Sequence, residues 1–450
     1  MFENKMFENN LRNITNSNPI FNSTLNLISN YLPPDLRTLY FSNQQIPIIC
    51  GDSYFIHYSV FPVLKPQNQD PTLEKARQVF QEYTNSQRFQ ALKPLTTLDH
   101  EISLVYGITL VKAFLEKIKE EIKKDLKNGD QNPDQALQQL FIAIQNGDQN
   151  AQQQLQALAQ QALSNTLSDK KAMQDILSEA GQTTQNAKEI KSLLGQKAST
   201  VGSSFELMLD LAEQMKEVKD VKQIITLGNK ISATFFATHI TKTKSKHGDE
   251  LAGYGITHSP SQALPKELAL PDDLFYYKFS SGFLMREKQF VSEGAYYVLI
   301  DKSGSMVGDK TIWSRSVALA LYKLARAKKR DYYLQFFDTA VYPDEPYTKP
   351  EDVLRSTLKV KSSGGTSIDT ALKTAISLLN KKYSNKTSSI ILITDGEDDV
   401  YTSKQQLGKI KLISVMTQGN NPTLQRLSSQ FMRVTPNEEG ALKLLEVANQ

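Results

Sequence analysis

The sequence contains a single cysteine, Cys50, among its 450 residues. An intramolecular disulfide is therefore excluded, and proteins without disulfides are typical of a reducing compartment. Cys50 follows the mostly apolar residues 46–49, so we expect a packed thiol rather than a nucleophile.

The first ten residues are polar and lack the apolar core of a secretory signal. No apolar run approaches the roughly 18 residues that a transmembrane helix needs. Together these features predict a cytoplasmic protein.

Charge and several common motifs are also scarce. The net charge is only +4, which is less basic than a dedicated nucleic-acid-binding protein requires. The sequence has no G-x-x-x-x-G-K-[ST] loop, and residues 308–311 resemble only its last part, so we do not expect ATP hydrolysis. It also lacks the H-E-x-x-H and C-x-x-C spacings of zinc sites. The absence of these nucleotide-binding and zinc-binding motifs argues against an enzyme.

Residues 1–238 read as a mainly helical N-terminal domain. Leu110, Phe114, Ile118 and Ile122 recur every four residues within a long helix predicted over 98–127. A Gln-rich segment over 128–165 holds two copies of the pentad NGDQN, each before a short Leu/Ala/Gln run, which indicates helices rather than a low-complexity insert. Further helices are predicted over 170–180, 183–195, 203–217 and 219–238. A hairpin over 46–61, turning at Gly51-Asp52, is the expected small β element.

The pattern changes to α/β towards the C-terminus. We predict a connector and lead-in over 239–290 and a final domain over 291–450. The run AYYVLI at 295–300 is continuously apolar, as a strand covered on both faces requires. Strands over 332–337, 389–394, 411–416 and 431–434 alternate with helices over 311–329, 367–381, 422–429 and the C-terminal end. Such alternation predicts an α/β doubly wound, mostly parallel sheet.

Polar residues follow three segments of this predicted sheet. The first strand leads into DKSGSM, a later loop contains GGTS, and the strand SIILIT leads into DGEDD. Ligands in such sheets bind at the carboxyl ends of the strands. Two carboxylates and three neutral hydroxyls suit a hard cation such as Mg²⁺, or Mn²⁺, and leave it electrophilic. The predicted metal ligands are Asp301, Ser303, Ser305, Thr366 and Asp395.

This constellation resembles the metal-ion-dependent adhesion site of von Willebrand factor A (VWA) domains. DKSGSM matches the family's D-x-S-x-S signature, and Thr366 in GGTS and Asp395 in ITDGE match its two other ligands in order and context. The resemblance covers residues 293–450 and implies a Rossmann-like fold. The lead-in and the helical N-terminal region resemble intracellular VWA proteins that work with MoxR-type AAA+ ATPases.

The resemblance implies a non-enzymatic adaptor or co-chaperone that binds a partner's carboxylate through the metal. One alternative is an RNA-associated scaffold, using the basic stretches over 242–247 and 326–330. Another is a structural or adhesion protein. We expect the basic residues over 326–330 to stabilise a helix C-terminus and Trp313 to be core or rim. Residues 397–399 are expected to form a solvated acidic turn, and the alternative is that they support the metal ligands or face a partner.

Overall fold

The computed structural model describes residues 7–15, 18–126, 132–194, 203–239, 250–289, 293–359, 364–384, 386–396 and 398–449. Contacts divide the chain into two compact units, Met1–Lys219 and Asp220–Gln450. The second unit thus includes the helix that prediction assigned to the end of the N-terminal domain. The boundaries at 238 and 290 remain predictions.

The first unit is helical throughout its described residues, apart from loops and one isolated β-bridge between Leu11 and Leu64. Its helices are α1 (Pro19–Asn30), α2 (Pro34–Ser42), α3 (Gln45–Tyr58), α4 (Pro71–Thr84), α5 (Gln87–Thr96), α6 (His100–Leu126), α7 (Pro133–Gln145), α8 (Gln149–Ser168), α9 (Lys170–Leu194) and α10 (Ser203–Glu217).

Local sequence explains where several of these helices begin. In α1, α4 and α7 a proline occupies the first turn, and the preceding Asn18, Asp70 or Asn132 accepts hydrogen bonds from the first backbone N–H groups. The second NGDQN copy forms the turn between α7 and α8, where Gly147 adopts a φ of +87° and Asp148 caps α8. Most of the first copy lies outside the described residues. The helices predicted in the Gln-rich segment are therefore confirmed.

The predicted hairpin over 46–61 is wrong. Residues 45–58 form α3, in which nearly every side chain is buried, including Cys50. A helix buried on all sides has no polar face, so its apolar run cannot be told from a buried strand by periodicity. Gly51 allows close packing, because a Cβ there would lie 2.5 Å from the Phe21 ring. Burial raises the pKa of the Cys50 thiol well above its ordinary value, which fits a packed thiol.

The helices predicted over 170–180 and 183–195 are one continuous helix, α9. Gly181 lies within it without breaking it. A Cβ at this position would lie 2.9 Å from Leu92 Cδ1, so the glycine lets α5 and α9 approach closely. Close helix packing thus outweighs the helix-breaking tendency of a single glycine.

The second unit alternates strands and helices. Its elements are α11 (Lys219–His239), β1 (Glu250–Thr257), α12 (Pro265–Leu268), α13 (Asp272–Ser281), β2 (Phe283–Gln289), β3 (Glu293–Asp301), α14 (Asp309–Ala327), β4 (Tyr332–Phe337), β5 (Val341–Tyr347), α15 (Pro350–Lys359), α16 (Ile368–Tyr383), β6 (Thr387–Thr394), α17 (Lys404–Leu407), β7 (Lys411–Met416), α18 (Pro422–Leu427), β8 (Gln430–Arg433) and α19 (Glu438–Asn449).

The predicted α/β fold is confirmed. The six-stranded sheet has the order β5-β4-β3-β6-β7-β8 and is parallel except at the β4–β5 pair. β3 is central, and its residues 295–300 are buried. One sheet face packs against α16, α17 and α18. α14 and α19 lie on the other face, where the Tyr332 hydroxyl donates to the Ala318 carbonyl at 2.8 Å.

The predicted connector is more ordered than expected. Residues 240–249 lie outside the described residues, but β1 and β2 form an antiparallel pair with α12 and α13 between them. The strands ELAGYGIT (β1) and FLMREKQ (β2) contain Gly and charged residues, which are uncommon in strands, so the sequence pattern did not predict them. α11 packs on α14, where the Ser316 hydroxyl donates to the Ile224 carbonyl at 3.1 Å.

Candidate functional site

The site lies at the carboxyl edge of the two central strands. β3 ends at Asp301, and Asp395 follows the last residue of β6. These strands are parallel neighbours, with Ile300 paired to Ile393, so the sheet register places the two acidic residues side by side. Both carboxylates are almost inaccessible: Asp301 is 2% exposed, and the Asp395 side chain is 2% exposed.

Asp301 is held by the residues that surround the strand end. Its Oδ1 accepts the Ser303 backbone N–H at 2.8 Å, and its Oδ2 accepts the Thr394 hydroxyl at 2.5 Å. Burial raises the pKa of the Asp301 carboxyl, and the nearby Asp395 carboxylate adds to the rise. Asp301 is therefore a buried acid with a fixed orientation, in a position where a cation would relieve the burial of its charge.

Two serine hydroxyls link the loops after β3 and β6. Ser303 Oγ and Ser305 Oγ are 3.1 Å apart, and the Ser305 hydroxyl donates to Asp395 Oδ1 at 2.7 Å. Ser303 is buried, whereas Ser305 is exposed. The alternating spacing from Asp301 thus brings three polar side chains to one place.

Thr366 reaches the same place from the loop before α16. The Gly304 N–H donates to the Gly364 carbonyl at 3.2 Å, which joins this loop to the first one. A Cβ on Gly396 would lie 2.9 Å from Thr366 Cγ2, so the third loop needs glycine to pass so close. Within the described part of the chain, the Thr366 hydroxyl has no hydrogen-bond partner. The three loops bring together all five predicted side chains.

Lys310 is the important residue that the sequence analysis missed. It lies in the first turn of α14, and its Nζ donates to Asp395 Oδ2 at 2.5 Å, to Gln418 Oε1 at 2.6 Å and to the Ser305 carbonyl at 3.2 Å. The site thus contains its own cation beside one of the predicted metal ligands. Its position in the first helical turn after the DKSGSM loop was the one signal in the sequence, and no motif links Lys310 to Asp395.

Two further acidic residues support the loops. Asp338, at the end of β4, pairs with Lys302 at 2.7 Å, and its carbonyl accepts the Ser367 N–H at 2.6 Å. Asp398 Oδ2 accepts the Ile368 N–H at 2.9 Å and so caps α16. The expectation that residues 397–399 form only a solvated turn is wrong for Asp398. Glu397 lies outside the described residues.

The donors present fit a hard divalent cation in kind. Among the described residues there is no group of three or more His, Cys, Asp or Glu side chains that could hold a metal. An ion here would therefore depend on the Ser303, Ser305 and Thr366 hydroxyls as well as the two carboxylates, which is an all-oxygen set of low charge. The metal and its ligands remain predictions.

Other candidates from the sequence have structural roles. Trp313 is buried in the core, and its Nε1 donates to the Asn437 carbonyl at 2.7 Å. Arg330 donates to the Gly294 carbonyl at 2.7 Å and stacks 3.8 Å above the Tyr296 ring, so this part of the basic stretch is used internally. The other basic stretch, 242–247, lies outside the described residues. The described helices include none with the length and apolar character needed to span a bilayer.

Comparison with known sequences agrees with this geometry. The profile of the von Willebrand factor type A domain matches residues 296–397, so a VWA domain is present in the chain. Domains of this type generally mediate protein–protein interaction or adhesion.

Relatives are similar over different lengths. An uncharacterized protein of Methanocaldococcus jannaschii is 28% identical over 286 residues, covering 59% of this chain and 65% of its own length. A second uncharacterized protein of that organism is 30% identical over 131 residues, covering 27% of this chain and 32% of its own. Mouse calcium-activated chloride channel regulator 1 is 31% identical over 144 residues, covering 31% of this chain and 16% of its own length. The chain thus spans less than two thirds of these relatives.

Proposed function

We propose that this protein is a non-enzymatic adaptor that binds a carboxylate of a protein partner through a Mg²⁺ ion held at Asp301, Ser303, Ser305, Thr366 and Asp395. The observation that carries the proposal is the convergence of these five side chains from three loops at one sheet edge, with Ser305 bonded to Asp395 at 2.7 Å. The VWA domain supports a role in protein interaction.

The carboxylates and the hydroxyls would have different roles in binding the ion. Asp301 and Asp395 would supply the negative charge, and the three hydroxyls would supply neutral oxygens. When bound, the ion supplies an electrophilic coordination position that an external Asp or Glu can fill. Ser305 is exposed while Asp301 and Ser303 are buried, so a partner would approach from the side of Ser305. Mn²⁺ would be held by the same donors.

The chemistry of the site supports ligation rather than catalysis. The described residues place no histidine beside Ser303 or Ser305, and the neighbouring Lys310 ammonium is a donor that cannot act as a base while it is charged. We therefore propose that neither serine acts as a nucleophile and that the protein is not an enzyme.

The partner we propose is a MoxR-type AAA+ ATPase, with the chain acting as its co-chaperone in the cytoplasm. This part rests on the resemblance of the lead-in and the layout, a helical unit followed by a VWA domain. The single cysteine, buried in α3, supports a reducing compartment. An AAA+ ATPase gene beside the gene for this chain would strengthen the assignment.

Two measurements test the proposal. Calorimetric titration with Mg²⁺ and Mn²⁺ should show one site in the wild type and loss of binding in Asp301→Ala. Asp309→Ala is the matched control, because Asp309 is an exposed acid close to the same loop but outside the site. Capture of the ATPase should require Mg²⁺ and fail in EDTA and in Asp301→Ala. Equal capture under all three conditions would rule out the metal bridge.

A further inference from the structure

A cavity of about 670 Å³ lies within the helical unit, between α4, α5, the end of α8 and the start of α9. Its base is apolar and well packed, with Leu167, Met173 and Leu177 all less than 9% exposed. Its volume falls in the range of pockets that receive a ligand or the anchoring side chains of a partner.

The rim of the cavity carries more positive than negative charge. Lys75, Arg88 and Lys170 line it together with one acidic residue, Glu82. Glu82 pairs with Lys170 at 3.2 Å, whereas the Lys75 ammonium donates, among the described residues, only to the Ser164 and Ser168 hydroxyls. Arg88 has no ion-pair partner among the described residues. Within the part of the chain that the structure describes, Lys75 and Arg88 therefore have no counter-charge, and an occupant with carboxylates beside apolar side chains would complement them.

The same chain displays a segment with this chemistry. α13, of sequence DDLFYYKFSS, begins with Asp272 and Asp273, neither of which has an ion-pair partner among the described residues. It also exposes large apolar side chains: Leu274 is 53% exposed and Tyr276 is 71% exposed. Such side chains are unusual on a helix that faces only water, and aromatic residues are typical anchors of protein interfaces.

The opposite face of α13 explains why these side chains point away from the unit. The Phe275 ring packs 5.3 Å from the Phe283 ring, and Lys278 pairs with Glu267 at 3.0 Å. α13 is thus fixed on β2 by one face while its acidic first turn and its tyrosines remain available.

We propose that the protein self-associates by inserting α13 of one copy into the rimmed cavity of another. Leu274 and the tyrosines fill the apolar base, and the carboxylates of Asp272 and Asp273 pair with Lys75 and Arg88. This contact joins two different surfaces, so it is heterologous and allows rings or open chains of copies. Because it depends on charge pairs at a rim, it weakens at high salt.

The contact can be tested by complementation between two charge-reversed variants of the full chain. Lys75→Glu with Arg88→Glu alters the cavity and leaves α13 intact. Asp272→Lys with Asp273→Lys alters α13 and leaves the cavity intact. The control is Lys171→Glu with Lys222→Glu, which makes the same change of net charge as the cavity variant at exposed residues outside the cavity.

Sedimentation velocity over rising concentration gives the readout. The wild type and the control should associate in low salt and dissociate in high salt, and each reversed variant should stay monomeric. An equimolar mixture of the two reversed variants should associate again, because the unaltered α13 and cavity still match and the two reversed surfaces carry opposite charges. A monomeric wild type, a monomeric mixture, or equal loss of association in the control would overturn the proposal.

A synthetic peptide of residues 270–281 measures the cavity directly. It should bind the wild type and lose about tenfold or more in affinity for the Lys75→Glu, Arg88→Glu variant, because like charges then face each other. Inorganic phosphate should not displace it. Displacement by phosphate alone would mean a simple anion site and would overturn the proposal.

Discussion

α3 buries two titratable groups that should act on stability in opposite directions with pH. Asp52 is fully buried, its Oδ2 accepts the Asn10 backbone N–H at 3.0 Å, and its Oδ1 has no hydrogen-bond partner among the described residues. His57 is also fully buried, with Nδ1 3.2 Å from the Thr96 hydroxyl and Nε2 3.0 Å from the Tyr83 hydroxyl. Both sites favour the neutral form.

Burial shifts the two pKa values apart. It raises the pKa of Asp52 to about 7, from 3.8, and lowers the pKa of His57 to about 3, from 6.5. Between pH 4 and pH 6.5 the folded chain keeps a proton on Asp52 that the unfolded chain has lost. Over the same interval the unfolded chain binds a proton on His57 that the folded chain does not. The two contributions to the pH dependence therefore cancel.

Removing one group should expose the slope of the other. Asp52→Asn removes a carboxyl group whose charged form is costly to bury above pH 7. As the pH rises from 4 to 8, the free energy of unfolding of this variant should therefore increase relative to that of the wild type by about 4 kcal/mol. His57→Gln removes an imidazole that must stay neutral in the folded chain at acid pH. As the pH falls from 7 to 4, the free energy of unfolding of this variant should therefore increase relative to that of the wild type by about 3 kcal/mol. Near pH 5 each single variant should show a slope of about 1.4 kcal/mol per pH unit relative to the wild type, with opposite signs.

The chain provides separate signals for its two units. Far-UV circular dichroism during urea unfolding is dominated by the helical unit, which contains both groups. Fluorescence of Trp313, the only tryptophan, reports the other unit and should be unchanged by either substitution. Parallel stability profiles for the wild type and both variants would refute the assignment of these buried neutral forms. The double variant should regain the flat profile.

Two predictions concern the candidate metal site. Lys310→Met should raise the affinity for Mn²⁺ about tenfold, because it removes a positive charge bonded to Asp395. Lys310→Arg keeps that charge and should leave the affinity close to that of the wild type. Calorimetric titration measures both affinities, and weaker binding by the methionine variant would contradict the prediction. Asp398→Ala should destabilise the VWA unit by about 1 kcal/mol, because α16 loses its cap. Asp399→Ala, at the exposed neighbouring residue, should leave the stability unchanged. Urea unfolding followed by Trp313 fluorescence distinguishes the two variants, and equal effects would show that the cap is unimportant.

Much of the second unit could be predicted because its buried parallel strands are continuous apolar runs. The runs over 295–300 and 411–416 match β3 and β7 within a residue or two, and β4 matches its predicted bounds. β5 was missed because Pro343 and Pro346 interrupt its sequence, and proline argues against a strand by pattern alone. In the first unit, α3 was misassigned because complete burial removes the polar face that marks a helix.

The convergence of the candidate site could be inferred where local spacing or the order of the sheet determines it. The spacing of Asp301, Ser303 and Ser305 is local, and the sheet order implied that Asp395 would lie beside them. Lys310 and Asp398 act across loops, from a helix turn and from a residue that caps another helix, and no spacing in the sequence encodes such reach. Side-chain contacts between loops require the tertiary structure.

The unusual composition of β5 has a consequence for how the protein behaves at high concentration. β5 is one outer strand of the sheet, and an outer strand presents unpaired backbone groups that can recruit a strand from another molecule. Pro343 and Pro346 have no N–H to donate, and the exposed Asp344 and Glu345 between them carry like charges. This edge therefore resists strand addition, which protects the apolar sheet from amyloid-like aggregation.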